Sequence, residues 1–284
     1  MLESGVSRRI LLDEATAALG AAALPQPRRE ALRLWSQLTG EEPAQLLVHS
    51  DDGASAAAAS HFRAAVRRRS SGEPLAYVSG RTGFRWLSLR CDRRALIPRP
   101  ETEGLVDRIL ERVRTGRVAD IGTGSGCLAL SLAGEGAFSQ VVAVEASVEA
   151  TALAQENQRL TGAPVGLVQG DLCAPLQREV FDALVSNPPY LSAGEYAALD
   201  ASVRSWEPQA ALVSGSDGLE ATTRLLHDAI AVLRPGGWLA LEVDCGRAEE
   251  CARRASALGW SSVVIQRDLF GRERYLLARR SDAL

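Results

Sequence analysis

The chain has 284 residues, of which 46% are hydrophobic and 24% charged. That length exceeds one small domain and suits a large domain joined to a smaller one, with enough apolar content for a sizeable core. The formal net charge of −3 excludes the overall basic footprint of a protein that grips a long nucleic acid, though not a local basic patch.

Residues 1–72 read as helical. Ile10, Leu11, Ala15, Ala18 and Leu19 recur at helical spacing. Pro25 and Pro27 close that helix, and Arg28–Leu38 begins another. A third helix is expected over Ser55–Arg69, with Ser55 near its cap. Its basic end, Arg67-Arg68-Arg69, suits a solvated last turn complementing the helix dipole; a docking patch for an acidic partner is the sharper reading. Gly72 to Pro74 mark a break. Residues 73–97 then read as a β-hairpin-like linker, with extended pieces at Tyr77–Gly80, Phe84–Leu89 and Ala95–Ile97. Pro98 and Pro100 close the linker, and Glu101–Arg114 reads as a helix that opens the domain of residues 98–284.

From there strand and helix alternate. Strands are expected at Arg117–Ile121, Gln140–Glu145, Val165–Gln169, Ala183–Ser186, Trp238–Val243, Ser262–Gln266 and Arg274–Leu277. Helices fall between most of them, as at Thr151–Thr161 and Leu219–Leu233. This alternation predicts an α/β fold: a seven-stranded, mostly parallel, doubly wound sheet with helices on both faces, preceded by a small helical domain.

The five cysteines are scattered, with no CxxC pair and no Cys/His spacing that suits zinc. Reduced thiols and no metal are the expectation. No apolar run reaches the roughly 18 residues that cross a bilayer. The segment Met1–Ile10 lacks the apolar core of a secretory signal. A cytoplasmic protein without membrane contact is expected. All 32 basic residues are arginine, which keeps the planar fork for ion pairs.

Three strand ends carry the chemistry. After the first strand comes Asp120-Ile121-Gly122-Thr123-Gly124-Ser125-Gly126, and a helix opens at Cys127. Glycines there allow a tight turn and close approach to a ligand, at the carboxyl end of a parallel strand, where such sheets bind ligands. Alone, such a turn can be merely structural. Glu145 ends the next strand, roughly 20 residues on, about where an acidic residue reaches ribose hydroxyls in dinucleotide-binding units. The spacing is GxGxG rather than GxGxxG, and Asp120 would repel phosphates. An adenosine ligand with a cationic end, such as S-adenosylmethionine, therefore fits better than a dinucleotide. Asp171 at the third strand end can accept from an adenine amino group, and Leu172 can pack on the ring; a plain exposed turn is the other reading.

The fourth strand ends in Asn187-Pro188-Pro189-Tyr190, the most specific signal in the chain. The prolines hold the backbone extended and remove two N–H donors. The Asn187 side-chain oxygen and the Pro188 carbonyl can then both accept from one NH2 group, while Tyr190 offers a face for stacking. A planar NH2 nitrogen delocalises its lone pair and is a poor nucleophile. Two acceptors hold its hydrogens, aim the lone pair and stabilise positive charge as it develops on nitrogen. No Ser/His/Asp set is evident, and the histidines at 49, 61 and 227 read as structural or exposed.

These segments, together with Ile97-Pro98-Arg99-Pro100-Glu101-Thr102-Glu103, Glu207-Pro208, Pro235-Gly236-Gly237-Trp238, and Asp268-Leu269 with Gly271-Arg272, resemble the release factor glutamine methyltransferase family (HemK/PrmC), whose fold is that of class I S-adenosylmethionine-dependent methyltransferases. The resemblance covers about residues 73 to 280. It implies methyl transfer from S-adenosylmethionine, leaving S-adenosylhomocysteine, to the side-chain amide nitrogen (N5) of the glutamine in the GGQ loop of class I peptide chain release factors. It also implies an N-terminal helical domain that helps hold that partner. Carried onto this chain, Gly122, Thr123, Gly124, Ser125, Gly126, Glu145, Asp171, Leu172 and Asn187 would hold the cofactor, and Asn187 to Tyr190 the glutamine. Two positions depart from the family: it usually has Asp where Glu145 stands, and some members carry an aromatic residue where Leu172 stands. The same chemistry leaves open a glutamine methyltransferase of a ribosomal protein, or an adenine N6-methyltransferase, since Asn-Pro-Pro-Tyr is shared with those acting on DNA. The acidic balance and the lack of a large target-reading domain speak against a stable nucleic-acid partner. A non-catalytic adenosine- or RNA-binding module fits poorly with an intact Asn187 and both prolines.

Overall fold

The computed structural model of the protein describes residues 6–282. The reading of Met1–Ile10 lies partly outside these residues. The chain forms two compact units, one reaching to Arg81 and taking in Ala201–Trp206, the other spanning Thr82–Asp200 and the chain from Glu207 onward.

The first unit is helical: α1 (Arg8–Ala21), α2 (Pro27–Thr39), α3 (Pro43–Val48), α4 (Ala56–Ser70) and α5 (Leu75–Ser79). Ser7 and Ser55 cap α1 and α4, their hydroxyls accepting from Ile10 and Ala58 N–H. Pro27 starts α2 rather than ending α1, because a proline at the first helical position has no N–H to leave unpaired. The extended passage expected at Tyr77–Gly80 is instead mostly the helix α5, ending at Gly80 with φ +71°. Leu11, Leu12, Leu19, Leu34, Trp35 and Phe62 form the core of this unit, with Trp35 and Phe62 packed edge-to-face at 4.9 Å. In the basic turn, Arg68 pairs with Glu73 and Arg69 with Glu30, so two of its three charges are neutralised within the unit.

The second unit begins with the ribbon of β1 (Arg81–Phe84) and β2 (Leu87–Arg90) and the helix α6 (Pro100–Leu110). Then follow β3 (Thr115–Ile121), α7 (Cys127–Glu135), β4 (Ala137–Glu145), α8 (Val148–Thr161), β5 (Val165–Gln169) and β6 (Phe181–Ser186). After the short helix α9 (Ala193–Ala198), and the short helix α10 (Ala201–Arg204) that belongs to the first unit, come α11 (Glu220–Val232), β7 (Leu233–Glu242), α12 (Ala248–Ala257), β8 (Ser261–Arg267) and β9 (Glu273–Arg279). The seven strands form one sheet in the order β5-β4-β3-β6-β7-β9-β8. All pairs are parallel except those made by β9. This is the expected doubly wound α/β sheet. Successive residues of the central strands feed opposite cores. Ala119, Ile121, Val142 and Val144 pack under α11 and α12, while Val118, Val141 and Ala143 pack under α6 and α7.

Register explains why distant motifs meet. Ile121 pairs with Val144 on one side and Ser186 on the other, and Glu145 pairs with Gln169. Gly122, Glu145, Gly170 and Asn187 therefore leave the sheet along one edge. The strand order reverses direction at β3/β6, the place where such sheets open a crevice.

Candidate active site

A cavity of about 540 Å³ opens at that edge, within the second unit, a volume suited to a small-molecule ligand. Of the cofactor residues expected from sequence, Gly122, Thr123, Gly124, Ser125, Glu145, Asp171, Leu172 and Asn187 line it; Gly126 does not, and instead caps α7 with φ +88°. Gly122 has φ +70°, and a Cβ there would meet no atom within 4 Å, so the glycine satisfies a left-handed turn. The glycine turn is braced rather than loose. Gly122 and Thr123 N–H both donate to the Val144 carbonyl at 2.8 and 3.0 Å. Glu145 accepts from Gly124 N–H at 2.8 Å through one carboxylate oxygen and from Ser147 N–H at 2.9 Å through the other. Each oxygen retains a further lone pair for a ligand hydroxyl.

Asp171 forms a 2.6 Å ion pair with Arg224, both side chains being about half exposed. Leu172 adopts φ +47°, an uncommon conformation for a residue with a side chain. Both residues face the cavity, and Arg224 joins them there as a lining residue that periodicity alone could not reveal.

At the fourth strand end, Asn187 and Pro189 line the cavity, whereas Pro188 and Tyr190 do not. Asn187 Nδ2 donates to Thr102 Oγ1 at 3.0 Å, and Thr102 Oγ1 donates to Glu242 Oε2 at 2.7 Å. Among the described residues nothing donates to the Asn187 side-chain oxygen or to the Pro188 carbonyl. Burial pushes the Tyr190 phenol up to about 12, with the Glu242 carboxylate adding to the shift. Burial also raises Glu242 above the ordinary carboxylate range. Among the described residues there is no cluster of three or more His, Cys, Asp or Glu side chains able to hold a metal ion.

Two family models match the chain, the PrmC N-terminal domain over residues 11–80 and the methyltransferase small domain over residues 100–204. The release factor glutamine methyltransferase of Deinococcus radiodurans is 39% identical over 276 residues, covering 96% of this chain and 98% of that protein. The chain belongs to the release factor glutamine methyltransferase family. The protein of that name from Moorella thermoacetica is 40% identical over 280 residues, covering 96% of this chain and 99% of its own. A methyltransferase from Pyrococcus furiosus superposes with a TM-score of 0.52 at 23% identity, covering 68% of this chain and 88% of that one, which is a likeness of fold.

Two further residues support the site in this member of the release factor glutamine methyltransferase family, Asn157, which carries no local sequence signal, and Glu207, whose Glu207-Pro208 segment marks the family but not its structural task. Asn157 on α8 is fully buried. It accepts from Arg90 N–H at 2.7 Å and donates to the carbonyls of Arg90 and Ser125 at 3.1 and 2.9 Å, so one amide ties the ribbon strand β2 to the glycine turn. Glu207, also buried, accepts from Ile97 N–H at 3.1 Å and Arg99 at 2.5 Å, fixing part of the cavity wall.

Asp120 takes a place other than the one expected from sequence. It is fully buried and absent from the cavity lining. Its Oδ2 accepts from the Thr123 hydroxyl at 2.6 Å and Ala129 N–H at 3.1 Å, tying the glycine turn to α7. Burial raises its pKa to about 7. Between the ordinary carboxylate range and pH 7 the folded chain therefore holds a proton that the unfolded chain has released. The associated stability is complete below about pH 4 and is lost as pH rises through about 7. Melting curves of the ligand-free protein should show this fall between about pH 4 and 7, and Asp120→Asn should flatten it. An Asp120→Asn profile parallel to that of the unaltered chain would remove Asp120 as its source.

Proposed function

We infer that this enzyme transfers a methyl group from S-adenosylmethionine to the side-chain amide nitrogen of a glutamine in a peptide chain release factor. The observation that carries the reading is the Asn187 amide. Its NH2 is held by Thr102, and its oxygen is left to the cavity that the glycine turn and Glu145 also line.

When bound, S-adenosylmethionine supplies an electrophilic sulfonium methyl group. The glycine turn leaves room for such a ligand, Glu145 would offer lone pairs to its ribose hydroxyls, and Asp171 and Leu172 would be placed to meet its adenine. The Asn187 oxygen and the Pro188 carbonyl hold the two hydrogens of the glutamine NH2. The nitrogen lone pair is then presented toward the cavity, and the positive charge growing on nitrogen falls beside two acceptors already in place. Pro189 stiffens the strand end, so the acceptors need not reorganise.

The partner is proposed to be a class I release factor bearing its glutamine in a GGQ loop, met in the cytoplasm where translation ends. Among the described residues no helix is long and apolar enough to cross a membrane. The family relationship favours this substrate over a ribosomal protein or nucleic-acid adenine. Incubation with tritiated S-adenosylmethionine tests it. Label should enter the release factor, should not enter a variant whose loop glutamine is alanine, and should not enter duplex DNA. Label in DNA with none in the release factor would overturn the reading.

A further inference from the structure

Thr102 and Asn187 stand 85 residues apart in the chain, yet their side chains meet at 3.0 Å. Thr102 lies in the first turn of α6 and is 3% exposed, and its other partner, Glu242 at the end of β7, is 1% exposed. A hydroxyl has one proton to give. In this geometry it goes to Glu242 Oε2, so Thr102 Oγ1 can only accept from Asn187, and the asparagine must turn its NH2 inward. Were the Asn187 amide reversed, two oxygens would face each other at that distance with no proton between them, an unsatisfied buried contact. Glu242 itself lies in the field of the Arg274 guanidinium, which donates to the Val243 carbonyl at 3.2 Å.

We propose that Thr102 is a positioning residue for methyl transfer: relayed from Glu242, its hydroxyl fixes which end of the Asn187 amide meets the substrate, so that an oxygen and not an NH2 group is presented. The proposal rests on the reading of Asn187 as an acceptor for the glutamine. It assigns a task to the Pro100–Glu103 segment: this turn carries the hydroxyl that orients the acceptor.

The test compares Thr102→Val, which keeps shape and loses the hydroxyl, with Thr102→Ser, which keeps the hydroxyl. With a release factor as substrate, Thr102→Val should lower kcat by about 10- to 100-fold, the loss expected when a buried polar group loses its partner. KM for the release factor and the dissociation constant for S-adenosylhomocysteine, read by calorimetry, should stay close to those of the unaltered enzyme. Thr102→Ser should restore most of kcat. In an Asn187→Ala background, Thr102→Val should cost nothing further, because the amide it orients is gone. A purely structural role would instead lower the melting temperature and weaken the product complex with kcat preserved. Unchanged kcat in Thr102→Val beside an inactive Asn187→Ala would overturn the relay alone. An active Asn187→Ala would overturn the acceptor reading and the relay with it. Should Thr102→Val fail to fold, Thr102→Ala decides the same question.

Discussion

Asn187→Ala should lower turnover by about 10²- to 10³-fold or more, the range seen when one preorganised group facing developing charge is removed. The side chain offers the substrate one atom, the amide oxygen, since Nδ2 is engaged by Thr102. Its loss leaves the substrate NH2 with the Pro188 carbonyl alone. One hydrogen is then unheld, the nitrogen lone pair is free to swing out of line, and the charge developing on nitrogen loses half of its solvation. None of this bears on the glycine turn or on Glu145, which are braced by Val144, Ser147 and each other. Calorimetric binding of S-adenosylhomocysteine should therefore remain within a few-fold of that of the unaltered enzyme, roughly the effect of one lost contact. Turnover unchanged in Asn187→Ala would remove the site assignment.

Glu145→Ala should act the other way, on affinity. The carboxylate lines the cavity and also accepts from Gly124 and Ser147 N–H. Truncation removes the acceptors for the ribose hydroxyls. It also orphans a backbone donor in the glycine turn, which must otherwise stay in its left-handed conformation. Hydrogen bonds to a charged group contribute about 1.5–3 kcal/mol each, so the dissociation constant should rise by about 10- to 100-fold for one such bond and further if the turn relaxes. At saturating cofactor kcat should recover, because the acceptors on Asn187 and Pro188 are untouched. A dissociation constant unchanged by Glu145→Ala would show that the ribose lies elsewhere.

The parts of the fold that could be read from sequence are those in which chemistry and periodicity agree. The runs Val118–Ala119, Val141–Val144 and Ala183–Val185 are apolar and buried on both faces, as a buried parallel strand requires, and each strand end announced itself by a residue type out of place in a core: Gly122, Glu145, Asn187. Once these runs are parallel neighbours in register, their ends converge without further information. Tyr77–Ser79 misled because a short apolar run between glycines suits a strand or a single helical turn equally, and burial of Tyr77 and Val78 favours the helix here. Asp120 misled because a carboxylate beside a glycine turn suggests a ligand contact, whereas the turn folds back and places it inside. The Thr102–Glu242 contact spans 140 residues, and the Asn157–Arg90 contact 67. Such pairs leave no periodic trace: Thr102 is marked only as part of the Ile97–Glu103 segment and Asn157 not at all, and neither shows its task until tertiary packing brings its partner.

The decisive measurement is a crystal structure of the enzyme with S-adenosylhomocysteine and a release factor carrying its loop glutamine. The glutamine side-chain nitrogen should lie within about 3.2 Å of both the Asn187 amide oxygen and the Pro188 carbonyl, ordinary hydrogen-bond distances, with Asn187 still donating to Thr102. A glutamine amide bound away from this strand end, or an Asn187 turned to offer its NH2, would contradict the account.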